Sequence, residues 1–121
     1  NKKQEKKIIT TKGRNLEITN FFNGVTRFNF SDLCDVNLGA EDYINIAQTC
    51  NHVFIEEIPN FDDENSNQQL RFITLVDIFY EKKISLTLSL ADNITNLNSS
   101  KKHFETFKRT VSRIYEMTKV N

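Results

Sequence analysis

Residues 52–90 hold three consecutive segments that leave few folds open. HVFIEEI (52–58) is a short apolar run that ends in two carboxylates, just ahead of the chain's only proline. QLRFITLVDIFYEKK (69–83) is apolar at Leu70, Phe72, Ile73, Leu75, Val76, Ile78, Phe79 and Tyr80, so a helix here has apolar residues on most sides and belongs in a core. ISLTLSL (84–90) alternates Ile/Leu with Ser/Thr, which is the period of a strand. Strand, helix and strand at this spacing form a crossover unit with parallel, right-handed pairing. The unbroken run Val53-Phe54-Ile55 predicts a strand covered on both faces. Ser66 and Gln69 have the spacing of a capping box, which places the helix at 66–83.

The flanking sequence extends this unit. KIITTKGRNLEIT (7–19) holds two β-rich runs around Lys12-Gly13-Arg14, a hairpin pattern, and NFFNG (20–24) is a turn. VTRFNF (25–30) has period two and is a strand; Ser31 and Asp32 cap a short helical turn that reaches Cys34. Residues 39–50 are helical, with Tyr43, Ile44, Ala47 and Cys50 on one face. The last helix runs from about 100 to 119, with Phe104, Phe107, Val111 and Ile114 as its core stripe. Residues 1–6 read as a linker or frayed end and 7–121 as a single domain. The expected class is α/β: a small, mostly parallel sheet with flanking helices and an N-terminal β-hairpin. A chain of 121 residues buries roughly two-thirds of its unfolded surface, enough for a core.

Composition narrows the function classes. Formal net charge is zero, so no global field draws in nucleic acid or a membrane. No apolar run approaches the roughly 20 residues that span a bilayer. Cys34 and Cys50 lack metal-type spacing and read as free buried thiols in a reducing compartment, and His52 and His103 are isolated, so no metal site is expected. Glu56 and Glu57 lie where a strand of an open α/β sheet would meet a ligand. Nucleotide hydrolases place magnesium-holding acids there, together with a phosphate cradle GxxxxGK[ST]. None of the three glycines, Gly13, Gly24 and Gly39, lies in such a cradle. Beside that reading stands a plain one, a strand end turning into solvent. Arg109 and Arg113 are four apart on one helical face and could grip a phosphate or a partner's carboxylates, or form a solvated basic face. Arg71 neighbours Asp77 and Glu81 at spacings that fix no pair.

RFNFSDLC (27–34), LGAEDY (38–43), VFIEEIP (53–59), RFITLVDIFYE (71–81) and FKRTVSRIYEM (107–117) stand in order, with KGRNLEI (12–18) ahead of them. In this the chain resembles the C-terminal region of the ZapE-type ATPases, the "ATPase family gene one" group of AAA-type P-loop enzymes. It departs from the family pattern at Asn37, where proline is common, and at Glu56-Glu57, which stand for a pair of aspartates. Leu88-Ser89-Leu90 stands for Ala-Ser-Ala, and residues 92–101 lack a Pro-Pro pair. The resemblance implies a whole protein that uses ATP and Mg²⁺ to handle protein partners, in bacterial cell division or in turnover of mitochondrial inner-membrane proteins. It places the phosphate-binding machinery upstream, so the isolated segment is expected to hold no cofactor and to be inactive alone. Glu56 and Glu57 would then be Walker-B-like acids. Arg109, Arg113 and Arg71 would contact nucleotide or a neighbouring subunit. The expected partners are the upstream ATPase core, neighbouring subunits and protein clients, not nucleic acid. The expected setting is cytoplasmic or mitochondrial, with peripheral membrane association possible and no transmembrane segment. The order strand, loop, helix, acidic strand, helix, polar strand mimics a P-loop core, with SDLCDVNLG (31–39) at the phosphate-loop position. The alternative is a non-catalytic interaction module that binds a protein through Phe21-Phe22, Tyr115 and the basic helix.

Overall fold

The computed structural model describes residues 5–11, 14–90 and 98–118. Five strands form one sheet in chain order: β1 (Glu5–Thr11), β2 (Arg14–Phe22), β3 (Val25–Asn29), β4 (His52–Ile58) and β5 (Ser85–Leu90). β1, β2 and β3 pair antiparallel, while β3, β4 and β5 pair parallel. The expected α/β class and its parallel crossover are therefore present. The tip of the β1–β2 hairpin, residues 12–13, lies outside the described residues. β2 extends through Phe21 and Phe22, so the predicted turn at 20–24 shrinks to Asn23-Gly24, both at positive φ (50° and 81°). Glycine relieves the second of these, and asparagine tolerates the first. A side chain at Gly24 would also meet the Asn51 amide at 2.7 Å.

Four α-helices stand among the described residues: α1 (Phe30–Cys34), α2 (Ala40–Thr49), α3 (Ser66–Glu81) and α4 (Phe104–Met117), with a 3-10 turn at Asp63–Asn65. α3 lies between α2 and α4 and packs on both. The strand register shows which face they cover. Thr26, Val53 and Leu86 align across the three parallel strands, as do Phe28, Ile55 and Leu88, and all of these but the half-buried Leu88 are buried. The alternate set, with Val25, His52 and Ser85 in one row and Arg27, Phe54 and Thr87 in the next, is exposed or half-buried. β4 is thus covered on one face, not both. Phe54 is only half-buried on the open side, where the Arg27 guanidinium lies 5.2 Å from its ring centroid.

Four rings knit the helices together at the C-terminal end of the parallel strands. Phe30 (α1), Phe61 (after β4), Phe72 (α3) and Phe107 (α4) contact one another with centroids 5.5–5.8 Å apart. Each such pair contributes roughly 0.5–1.5 kcal/mol beyond its buried area. On the expected face of α2, Tyr43, Ala47 and Cys50 are buried, while Ile44 is half-buried and Ile46 takes its place in the core. Leu70 is 47% exposed on α3, because even this apolar helix keeps one stripe in water. α4 begins at Phe104, which is 52% exposed, and its buried positions are Phe107, Thr110 and Ile114.

The expected capping box at Ser66 and Gln69 is not formed. Asp62 instead caps the 3-10 turn Asp63–Asn65 that leads into α3: its carboxylate accepts from the Glu64 and Asn65 amides, and the Asn65 side chain accepts from the Asp62 amide. Gln69 is fully buried and its amide serves a longer connection. It donates to Ser99 Oγ at 2.7 Å and accepts from Ser100 Oγ and the Ser100 amide. Asn60 and Asp63 accept from the amides of Asn98 and Lys101, fixing the segment that leads into α4.

Candidate functional site

In an open α/β sheet the ligand-binding end lies beyond the carboxyl ends of the parallel strands. Here that end carries Asn29, Glu56 and Glu57, the loop after β4, and the segment ahead of α4. β4 bulges between Ile55 and Ile58, and Glu57 sits at φ 60°. That left-handed conformation is costly for a residue with a side chain, by about 1 kcal/mol or more. Each acid has its own neighbour on β3. Glu57 accepts from Asn29 Nδ2 at 2.6 Å, and Glu56 lies 3.8 Å from the Arg27 guanidinium. Both acids are exposed. Among the described residues no three His, Cys, Asp or Glu side chains gather closely enough to hold a metal ion.

Of the segment at the phosphate-loop position, residues 31–34 belong to the short helix α1, and residues 35–39 follow as bends and coil that are exposed or half-buried. A phosphate cradle must present free backbone N–H groups to its anion. At the end of α1 the Leu33 and Cys34 carbonyls turn inward. Tyr43 Oη donates to the Leu33 carbonyl at 2.7 Å, Arg71 donates to the Cys34 carbonyl at 3.1 Å, and Gln68 donates to the Asp35 carboxylate at 2.9 Å. Leu33 and Cys34 are fully buried beneath these bonds. Burial pushes the Cys34 thiol up to about 12, against its side-chain interaction with Tyr43 and the charge of Arg71, so it stays protonated and unreactive. Burial and the neighbouring Cys34 also raise Tyr43 above its usual range. Arg71 thus holds the end of α1, a partner that helical spacing could not reveal because it lies 37 residues away.

Arg109 and Arg113 do share one face, and both turn to the same acid. Arg113 donates to Asp77 Oδ1 at 2.6 Å and Arg109 to Oδ2 at 3.3 Å. The Arg113 guanidinium lies 4.7 Å from the Tyr80 ring centroid, and Tyr80 Oη donates to Glu116, which raises the phenol's pKa. Arg113 is therefore held between α3 and α4, with its side chain 23% exposed. Arg109 makes the longer contact and is 57% exposed. With five donors on each guanidinium and one carboxylate between the two, most of Arg109's hydrogen-bonding capacity faces solvent.

A cleft of about 740 Å³ opens between the loop after β4 and α4. Phe61, Phe107 and Val111 form its apolar floor, and Asp63, Lys101 and Lys108 stand at its rim. Lys108 pairs with Glu105 at 3.1 Å and lies over the Phe104 ring. The sequence reading missed this cleft. Its signal was the run Phe104–Phe107, read as one core stripe although Phe104 faces outward.

These features define a class: an open α/β unit with three parallel strands and flanking helices. The profile of the AFG1-like ATPases matches residues 1–121, and the chain belongs to that family. It is 31% identical over 86 residues to lactation elevated protein 1 homolog B of Danio rerio, covering 71% of this chain and 17% of that protein. It is 28% identical over 88 residues to the cell division protein ZapE of Escherichia coli K12, covering 73% and 24% respectively. An uncharacterized Schizosaccharomyces pombe protein, C115.02c, is 30% identical over 77 residues, covering 64% and 17%. The chain thus spans about a fifth of the length of these relatives. No solved structure matches it. No helix among the described residues is long and apolar enough to cross a membrane.

Proposed function

We propose that this chain is the C-terminal, non-hydrolysing α/β unit of an AFG1-like ATPase, and that ATP and Mg²⁺ act at a phosphate site outside residues 1–121. What supports this reading is the packing of α1 at the head of the phosphate-loop position, where Leu33 and Cys34 are buried and their carbonyls are held by Tyr43 and Arg71, with no glycine-rich cradle in the sequence. Glu56 and Glu57, drawn to Arg27 and Asn29, are secondary candidates. Arg109 is the residue that reaches nucleotide phosphate or a neighbouring subunit. Asp77 holds Arg113 between α3 and α4, and Arg71 holds α1.

The whole protein couples ATP hydrolysis to the handling of protein partners, and ZapE's description as a cell division protein favours that setting. Arg109→Ala in the full-length protein is expected to lower ATP turnover by about tenfold or more, the scale of one lost charge-assisted contact at a reacting phosphate. Circular dichroism and oligomer mass should stay unchanged. Wild-type turnover in that variant would remove Arg109 from the nucleotide.

A further inference from the structure

β5 is an end of the sheet and pairs with β4 alone among the described strands. Its other side pairs with no strand among the described residues, and α4 packs beside it. Proteins blunt such edges with charge, proline, a bulge on the edge strand or a covering element. SLTLSL carries no charge and no proline, and the bulge in this ladder belongs to β4. Ser85, Thr87 and Ser89 are exposed, and Leu88 and Leu90 are only half-buried. Beside the strand, a groove of about 330 Å³ runs between Leu86, Leu88, Leu90, Ile114 and Tyr115. Tyr115 is 47% exposed and forms its outer wall. Lys82 and Lys83, both exposed, stand at the amino end of β5, and neither has an acid within ion-pair distance among the described residues.

We propose that β5 accepts an extended segment of a partner protein as a sixth strand. Main-chain hydrogen bonds supply the affinity in this recognition mode, and pockets for alternate side chains supply the selectivity. The groove takes apolar side chains at every second position. The intervening positions lie in the Ser85/Thr87/Ser89 row and are polar. The end of the segment beside Ser85 is acidic, to meet Lys82 and Lys83. The proposal rests on the reading that this unit handles protein partners and names the class of segment it takes.

The probe is a short synthetic peptide in which valine alternates with threonine and glutamates close both ends, so either strand direction is served. A control peptide carries lysines in place of the glutamates. Hydrogen exchange of the Ser85–Leu90 amides is expected to slow by about tenfold with the glutamate peptide. Fluorescence anisotropy should show it binding roughly tenfold more tightly than the lysine peptide, the scale of two partly exposed ion pairs. Lys82→Glu/Lys83→Glu should reverse that preference, and Tyr115→Ala should weaken both peptides with the circular dichroism unchanged. Absence of β5 protection at near-millimolar peptide overturns the proposal, as does equal affinity for the two peptides. Protection without peptide, with a dimer mass in sedimentation, would make a second copy the occupant and also overturn it. No nucleotide is present in these measurements, so their failure is separate from failure of the ATPase reading.

Discussion

Asp77 faces two arginines of α4, and the geometry assigns them unequal weight. The Arg113 contact is 2.6 Å long, with side chains 23% and 30% exposed. A charge-assisted bond of that kind is worth roughly 1.5–3 kcal/mol when buried, and solvent screening at this exposure reduces it to about 1 kcal/mol. The Arg109 contact is 3.3 Å long with Arg109 57% exposed, which leaves a few tenths of a kcal/mol. Asp77→Asn should therefore destabilise the chain by about 1–1.5 kcal/mol, a fall in Tm of roughly 3–6 °C for a domain of this size. Arg113→Ala should cost more than Asp77→Asn, because it also removes the stack on Tyr80. Arg109→Ala should cost less than about 0.5 kcal/mol. Urea unfolding followed by circular dichroism gives the three values. A double-mutant cycle gives the coupling, about 1 kcal/mol for Asp77 with Arg113 and near zero for Asp77 with Arg109. Equal costs for the two arginines, or no coupling to Arg113, would refute the division into a held arginine and a free one.

Two further outcomes follow from buried groups. Thr26 is buried with its hydroxyl unpartnered among the described residues, so Thr26→Val should stabilise the fold by about 1 kcal/mol in the same urea assay; a loss of stability would reveal a partner for the hydroxyl. Folding raises the Cys34 pKa from 9.0 to about 12, so above pH 9 the unfolded chain releases this proton and the folded chain keeps it. Stability from this group is full below pH 9 and falls as pH rises toward 12, with raised Tyr43 adding to the fall above its unfolded value near 10. Native Cys34 should stay unmodified by iodoacetamide at pH 8 while the urea-unfolded chain reacts; equal rates would contradict its burial.

The parallel crossover was legible because periodicity and length are local signals: an apolar run, a long helix and a strict alternation allow one connection. What periodicity cannot report is which neighbour arrives. Val53-Phe54-Ile55 reads as doubly covered, yet Phe54 is only half-buried, flanked by the Arg27 guanidinium and the His52 ring. Ser66 and Gln69 have capping spacing, yet Gln69 is fully buried and holds residues 99 and 100, about thirty positions on. The pair Arg109 and Arg113 was legible as a shared face from its spacing of four. Their common acid, Asp77, lies on another helix, so their inequality appears only in three dimensions. The half-buried Asn29 that draws Glu57 away belongs equally to contacts made at long range.

The central claim is that this unit belongs to an ATPase and does not itself hold the triphosphate. Isothermal titration calorimetry of the folded 121-residue chain with ATP and Mg²⁺ tests it most directly. No heat of binding at near-millimolar nucleotide is the expected result, since residues 31–34 are packed as a short helix and the sequence holds no glycine-rich phosphate cradle. Saturable binding that disappears in Glu56→Gln/Glu57→Gln would contradict the claim and make those two carboxylates and the α4 arginines parts of a working nucleotide site.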